Sequence, residues 1–295
     1  MGGDFIRYRS TEEDSGRWSG FPFRQGDIVI STRSKSGTTW IQMICALLIF
    51  QTPRLPAPLA ILSPWLDMLG PPKDQLYATL AAQRHRRFIK THTPLDGIPI
   101  DQRATYLVVA RNPLDMAVSL YHQGDNLDRV RMRYLIGQPA PAAPSKTRPP
   151  LRDWLLEWID TEASPREEMD SLSGVMWHLS DAWARREQEN MVLIHYDDLL
   201  LDLAGEMQRL AGLLDITVPN AMWPTLVEAA TFTSMRTRAD ELSPNPSGIL
   251  KSPAAFFRSG VSGEGRRVLT DAELARYRSR VRQMAPQALI DWLHR

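Results

Sequence analysis

With 295 residues, 43% of them hydrophobic, the chain is long enough for one large α/β domain or two small ones, and its composition is that of an ordinary globular protein. Its 35 basic and 34 acidic residues leave a formal charge of +1, which argues against a DNA- or RNA-binding surface and confines any cation cluster to a local site for a small polyanion. The single cysteine, Cys45, excludes an intrachain disulfide and a cysteine-based zinc site; among apolar neighbours it reads as a buried structural thiol.

Residues 1–26 are polar and lack the apolar core of a secretion signal. They read as a loosely ordered lead-in, with Trp18, Phe21 and Phe23 available to pin it to the core. No apolar run is long enough to span a bilayer, so the expectation is a cytoplasmic protein without stable membrane insertion.

Residues 27–40, DIVISTRSKSGTTW, organise the rest. Ile28, Val29 and Ile30 form a β-branched run that predicts a buried strand. A turn through Arg33, Ser34, Lys35, Ser36 and Gly37 follows, then Thr38, Thr39 and apolar residues at helical spacing from Trp40. A strand feeding a helix through a turn with Gly, Ser and Lys is an anion-holding device. First-turn amides, the helix dipole, a cation and hydroxyls converge on one place.

A Pro-rich passage, residues 53–72, carries Leu55, Leu59, Ile61, Leu62, Trp65, Leu66, Met68 and Leu69. It is either core under a loop or one wall of an apolar acceptor pocket. Residues 73–82 predict a short helix, and RFIKTH at 87–92 a second buried strand that Pro94 stops. Lys90 and His92 lie two apart in extended chain, so their side chains project together from the strand's C-terminal end, where open α/β sheets place ligands.

Residues 104–111, ATYLVVAR, are the clearest strand. Asn112 can cap the next helix and Pro113 suits its first position. Arg111 thus stands at a strand end beside a helix N-terminus, with Ser119 two turns into that helix. Residues 124–150 turn irregular, with Arg129, Arg131 and Arg133 before a Pro/Ala-rich stretch, and read as a linker, a lid or a disordered loop. Helices with one apolar face follow at 151–160 and 172–183. MVLIHY at 191–196 predicts a further strand, on which His195 faces opposite to Tyr196 and reads as structural. Amphipathic helices are predicted near 203–214 and 221–230. Residues 240–253 form a polar, Pro-rich loop of lid character, and Thr270 to Glu273 a capping box for a C-terminal helix.

Lys35 precedes the only Gly of its turn, against the order of the ATP/GTP P-loop, in which Lys follows the second Gly. The segment Thr32 to Trp40 instead resembles the 5′-phosphosulfate loop of soluble, cytosolic-type sulfotransferases, T-Y-P-K-S-G-T-T-W, departing only at Arg33 and Ser34. Lys90-Thr91-His92-Thr93-Pro94 matches the family's K-T-H-x-P. Arg111-Asn112-Pro113 with Asp115, Ser119, Tyr121 and His122 resembles its 3′-phosphate motif. Tyr196-Asp197-Asp198 stands for Y-E-D, and residues 230–236 resemble T-S-F-x-x-M-K/R with Ala230 in place of Thr. Residues 258–265 resemble R-K-G-x-x-G-D-W, with Ser259 in place of Lys and Gly265 in place of Trp. The resemblance runs from residue 27 to about 275 in the family's order.

That resemblance implies a 3′-phosphoadenosine-5′-phosphosulfate (PAPS) site with PAP as product. The 5′ side is held by Lys35, Ser36, Gly37, Thr38, Thr39 and Trp40. Arg111, Ser119 and Arg258, in the Arg258-Ser259-Gly260 segment, take the 3′-phosphate, while Tyr196 and Phe232 take the adenine. It implies His92 as general base, with Lys35 and Lys90 steadying the leaving phosphate. No carboxylate constellation for magnesium is found, so no metal requirement is predicted. The expected architecture is one α/β domain over residues 1–295, with a central, mostly parallel sheet flanked by helices. The acceptor is expected to be a hydroxyl-bearing small molecule or lipid of hydrophobic character. Two other readings are a P-loop kinase of a small metabolite and a non-catalytic 3′-phosphonucleotide-binding protein. The family's vertebrate dimer signature is not reproduced near Thr270, which leaves the oligomeric state open.

Overall fold

Four β-branched, apolar segments become the four strands of one sheet in the computed structural model, which describes residues 5–135, 148–245 and 248–295. Strands β1 (Asp27–Ser31), β2 (Phe88–Thr91), β3 (Ala104–Ala110) and β4 (Met191–His195) pair in the order β2-β1-β3-β4, all parallel. Alternation along each strand sends side chains into two layers. Ile28, Ile30, Phe88, Leu107 and Val109 pack on helix α1 (Thr38–Phe50), whereas Val29, Ile89, Tyr106 and Val108 pack on Trp18, Phe21 and Phe23. Helices thus cover both faces, which is why the strands are almost entirely buried runs. The chain is a single α/β domain, as its sequence predicts.

Strand β1 is followed to one side by β2 and then to the other side by β3. The strand order reverses at β1, and the crevice beyond the carboxyl ends of β1 and β3 is where such sheets accept ligands. The anion turn leaves β1 there, and Arg111 leaves β3 there.

The lead-in departs from its loosely ordered expectation. Tyr8 and Trp18 are fully buried, residues Ser15–Trp18 form a 3-10 turn, and the Asp14 amide donates to the Asp67 carbonyl at 2.8 Å. Trp18 pins it as predicted, stacked on Phe23 at 6.0 Å. The Pro-rich passage runs beside β2: the Lys90 amide donates to the Pro64 carbonyl at 3.0 Å, and the Leu66 amide to the Lys90 carbonyl at 3.1 Å. Those bonds serve backbone groups that an uncovered edge would expose. Leu59, Leu62 and Leu66 are buried and serve as core under a loop, whereas Ile61 and Leu69 are exposed.

Asn112 caps helix Pro113–Asn126 through its side chain, and Thr270 with Glu273 forms the full capping box of helix Asp271–Arg282. His195 accepts from the Asp197 amide, in keeping with a structural role. Within 124–150, Arg129–Leu135 is helical, and the Pro/Ala-rich stretch 136–147 lies outside the described residues. The expected loop at 240–253 contains the ends of helices Ala239–Leu242 and Pro253–Phe256, and its residues 246–247 are also outside them. Among the described residues no helix is long and apolar enough to cross a membrane.

Candidate active site

Pairing β1 with β2 sets Ile30 beside Lys90 and Ser31 beside Thr91, so the turn after β1 faces the end of β2. Lys35 in that turn adopts φ 64° and Gly37 adopts φ 104°. Left-handed residues turn successive amides toward one concavity, the usual nest for an anion. Gly37 is required twice over: its φ suits only Gly, and a Cβ there would lie 3.0 Å from the Tyr196 ring. Ser36, Thr38 and Thr39 are buried around the turn, and the Thr38 hydroxyl meets that of Thr32 at 2.5 Å.

The ammonium of Lys35 lies 4.0 Å from the Phe256 ring centroid and 3.4 Å from Gln123 Oε1. Among the described residues no carboxylate pairs with it. Burial, together with the charges of Arg111, Arg258 and Lys90, pushes its pKa down to about 7. Lys90, 8% exposed, stands 4.3 Å from the Trp65 ring; burial lowers it to about 8 despite nearby Asp67 and Glu13. Cations that repel one another around Lys35 suit a polyanionic ligand, because each phosphate or sulfonate relieves repulsion already present.

His92 is 7% exposed and its Nδ1 lies 2.5 Å from the Thr32 carbonyl oxygen. A carbonyl only accepts, so Nδ1 carries the proton and Nε2 keeps its lone pair. The Trp65 ring meets the imidazole edge-on at 4.7 Å. Burial, Lys90 and Arg33 hold its pKa well below the usual imidazole value, although the Thr32 carbonyl works the other way. Thr91 and Thr93, on either side of His92, both donate their hydroxyls to Asp67 Oδ2.

Arg111 donates to the carbonyls of Lys35 at 3.1 Å and Val261 at 3.0 Å, lies 4.4 Å from the Tyr196 ring, and keeps a buried Nε without a partner. Trp40 is part of the wall: its indole donates to the Ala230 carbonyl at 2.8 Å and its ring meets Tyr196 edge-on. Position 230 therefore contributes a backbone oxygen, which Ala supplies as well as Thr. Phe232 packs directly over Gly260, where a Cβ would fall 2.5 Å from the ring. Ser119 is half-buried on helix Pro113–Asn126 and makes no hydrogen bond among the described residues.

Arg258 differs from the free clamp that the sequence suggests. Both its terminal nitrogens bond Glu264, at 3.0 Å for Nη1, and Ser259 donates to the same carboxylate at 3.1 Å. Its charge still reaches Lys35. Sequence reasoning gave Glu264 no role, nor did it foresee that Asp115 holds this loop, accepting from the Gly263 amide at 2.7 Å and the Gly265 amide at 2.8 Å. Arg33, a motif departure, is another residue it missed. It is 3% exposed, donates to the His92 carbonyl, and pairs with Asp170 at 2.7 Å.

Beside His92, whose ring meets Trp65, opens a cavity of about 490 Å³ lined by Trp65, Arg33, Glu13, Trp154, Trp158 and Asp170. Trp65 alone of the Pro-rich passage lines it, and the wall is far more polar than expected.

A family model described as the sulfotransferase domain matches residues 25–289. A glycolipid sulfotransferase of Mycobacterium bovis (strain BCG / Pasteur 1173P2) is 41% identical over 310 aligned positions, which span 99% of this chain and 94% of that relative. Among solved structures, a mouse sulfotransferase complexed with PAP superposes with a TM-score of 0.67 at 18% identity, covering 95% of this chain and 94% of the other. Retinol dehydratase in complex with androsterone and inactive cofactor PAP gives 0.66 at 21% identity, covering 91% and 82%.

Proposed function

We propose, from the premise that this chain belongs to the sulfotransferase family, that it moves the sulfuryl group of PAPS to a hydroxyl of a lipid or small-molecule acceptor. PAPS supplies an activated sulfuryl group; the chain supplies position, charge and a base. The single observation that carries the reading is the meeting of Lys35, Lys90 and a neutral His92 at the carboxyl ends of β1 and β2.

The residues present fit a nucleotide with phosphates at both ends. Lys35 and the amides of the Gly37 turn serve the 5′ side. Arg111, with its unpartnered Nε, serves the 3′ side, and Tyr196 and Phe232 offer ring faces. His92 Nε2 accepts the proton of the acceptor hydroxyl as its oxygen bonds to sulfur. Lys35, and Lys90 behind it, stabilise the charge that collects on the departing phosphate oxygen as the old S–O bond breaks. Proton, sulfuryl group and electron pair are then all placed: on His92, on the acceptor and on PAP.

That the mycobacterial relative is a glycolipid sulfotransferase supports a lipid carrying sugar as the acceptor class. Incubation with PAPS bearing labelled sulfate and a lipid extract, followed by mass spectrometry, tests the reading; label that stays on the nucleotide with every acceptor refutes it. The cytoplasmic location belongs to the same proposal and is tested by cell fractionation.

A further inference from the structure

The cavity beside His92 combines three tryptophans with polar atoms that have no partner. Trp65, Trp154 and Trp158 line it. In its wall Glu13 is 6% and Arg33 3% exposed, and the two stand 3.9 Å apart. Glu13 Oε2, Arg33 Nε and Trp65 Nε1 are each buried without a hydrogen-bond partner. A buried polar atom left unpaired is costly, and several along one cavity wall point to a ligand that completes them.

We propose that this cavity is a subsite for an uncharged sugar headgroup of the acceptor, with Glu13 and Arg33 as the pair that selects it. The proposal rests on the sulfuryl-transfer reading above and adds the residues that choose the acceptor. A sugar hydroxyl both donates and accepts, so a hydroxyl pair can serve Glu13 together with the Arg33 and Trp65 donors. The C–H face of a pyranose is apolar with a weakly positive edge and stacks on the negative face of an indole. A volume of about 490 Å³ holds a sugar ring with the start of its aglycone.

Charged alternatives fit less well. An anionic headgroup would meet Glu12, Glu157, Glu168 and Asp170 around one arginine that is already shared with Asp170. An ammonium would face Arg33 and could only donate, leaving the Arg33 and Trp65 donors unserved. Burial and the neighbouring carboxylates Asp67, Asp170 and Glu12 push Glu13 up to about 8 against the pull of Arg33, which suits it to a neutral partner. Because Arg33 also donates to the His92 carbonyl, the wall that reads the sugar is joined to the base.

The test is calorimetry of the full chain loaded with PAP, titrated below micellar concentration with octyl β-D-glucoside, 1-octanol and octylamine. The glucoside is expected to bind about tenfold or more tightly than either other ligand, matching about 1.4 kcal/mol for each factor of ten. Glu13→Ala should bring it to within about twofold of octanol while PAP affinity stays unchanged. If Glu13→Ala no longer binds PAP, Trp154→Ala, which alters a half-buried cavity residue, decides in its place by the same loss or retention. Equal binding of glucoside and octanol, tightest binding of octylamine, or retention of the glucoside preference in the folded variant overturns the proposal. Failure of the transfer reading itself would appear separately, as no affinity for PAP in the unaltered protein.

Discussion

His92 Nδ1 lies 2.5 Å from the carbonyl oxygen of Thr32, the residue that opens the anion turn. One hydrogen bond therefore sets the tautomer of the imidazole and ties the proposed base to the backbone of the proposed donor loop. Nε2 is left as the proton acceptor, and burial beside Lys90 keeps it unprotonated at neutral pH. His92→Ala is expected to lower kcat by about 10²- to 10⁴-fold, the range for loss of a positioned base. PAP affinity, measured by calorimetry, should change by less than about twofold. A variant that keeps most of its turnover would take the base role away from His92.

In the proposed mechanism Lys35 acts twice, on binding and on the leaving oxygen. Lys35→Ala should cut kcat at saturating PAPS by about 10²- to 10³-fold, as loss of one preorganised charge donor does elsewhere. It should also weaken PAP, because the 5′ side loses its own cation while Arg111 stays on the 3′ side. Unchanged kcat with weaker binding alone would restrict Lys35 to holding the donor.

The depressed lysines give donor binding a pH dependence of definite sign. In the donor-free protein Lys35 is down to about 7 and Lys90 to about 8. Each is a cation below its pKa and neutral above it, so affinity for PAP should be highest near pH 7 and fall toward about pH 9. Phosphate groups have by then lost their second proton, at about 6, and do not offset the loss. Lys35→Arg keeps its charge throughout and should flatten the lower part of the curve. A PAP affinity independent of pH in the unaltered protein would contradict the depression.

The strands were readable because each is a β-branched run buried on both faces, a pattern that needs no knowledge of partners. The positions of Lys35, Lys90, His92 and Arg111 at the sheet's carboxyl edge were readable because strand ends and turn residues mark that edge. What stayed hidden depends on contacts distant in sequence. Arg33 looks like a solvated turn residue until the His92 carbonyl and Asp170, 59 and 137 positions away, enclose it. Glu13 sits in a polar segment that composition alone marks as loose, yet Asp14 beside it is bonded to the backbone of Asp67. The pairing of Arg258 with Glu264 is local, only 6 positions apart, but whether an arginine bonds its neighbour or a ligand is not encoded in spacing.

Asp115 offers a check on the loop that carries Arg258. Its two oxygens accept the Gly263 and Gly265 amides, fixing the segment against helix Pro113–Asn126. Asp115→Ala leaves both amides without their acceptor, at about 1–3 kcal/mol for a buried group. Reduced PAP affinity with little change in the kcat that remains at saturation is the expected pattern. Equal PAP binding in variant and parent would detach the loop from the nucleotide.

At the opposite end of the sheet, Asp27 and Arg87 form an ion pair with side chains 2% and 1% exposed, and Arg87 Nε donates to Asp27 Oδ1 at 2.8 Å. Arg87 also donates to the Pro22 carbonyl at 2.9 Å, so the pair ties the lead-in to the feet of β1 and β2. Removing one partner strands a buried charge, which costs about 3–5 kcal/mol. Asp27→Ala is accordingly expected to lower the urea midpoint by that amount of stability, whereas Asp27→Ala with Arg87→Met should cost less than the sum of the two single changes. Because the pair lies at the amino ends of the strands and the reacting groups at the carboxyl ends, kcat of the folded fraction should be unaltered. Additive losses in the double variant would mean that the two charges are not coupled, and that each side chain is held by its backbone partners alone.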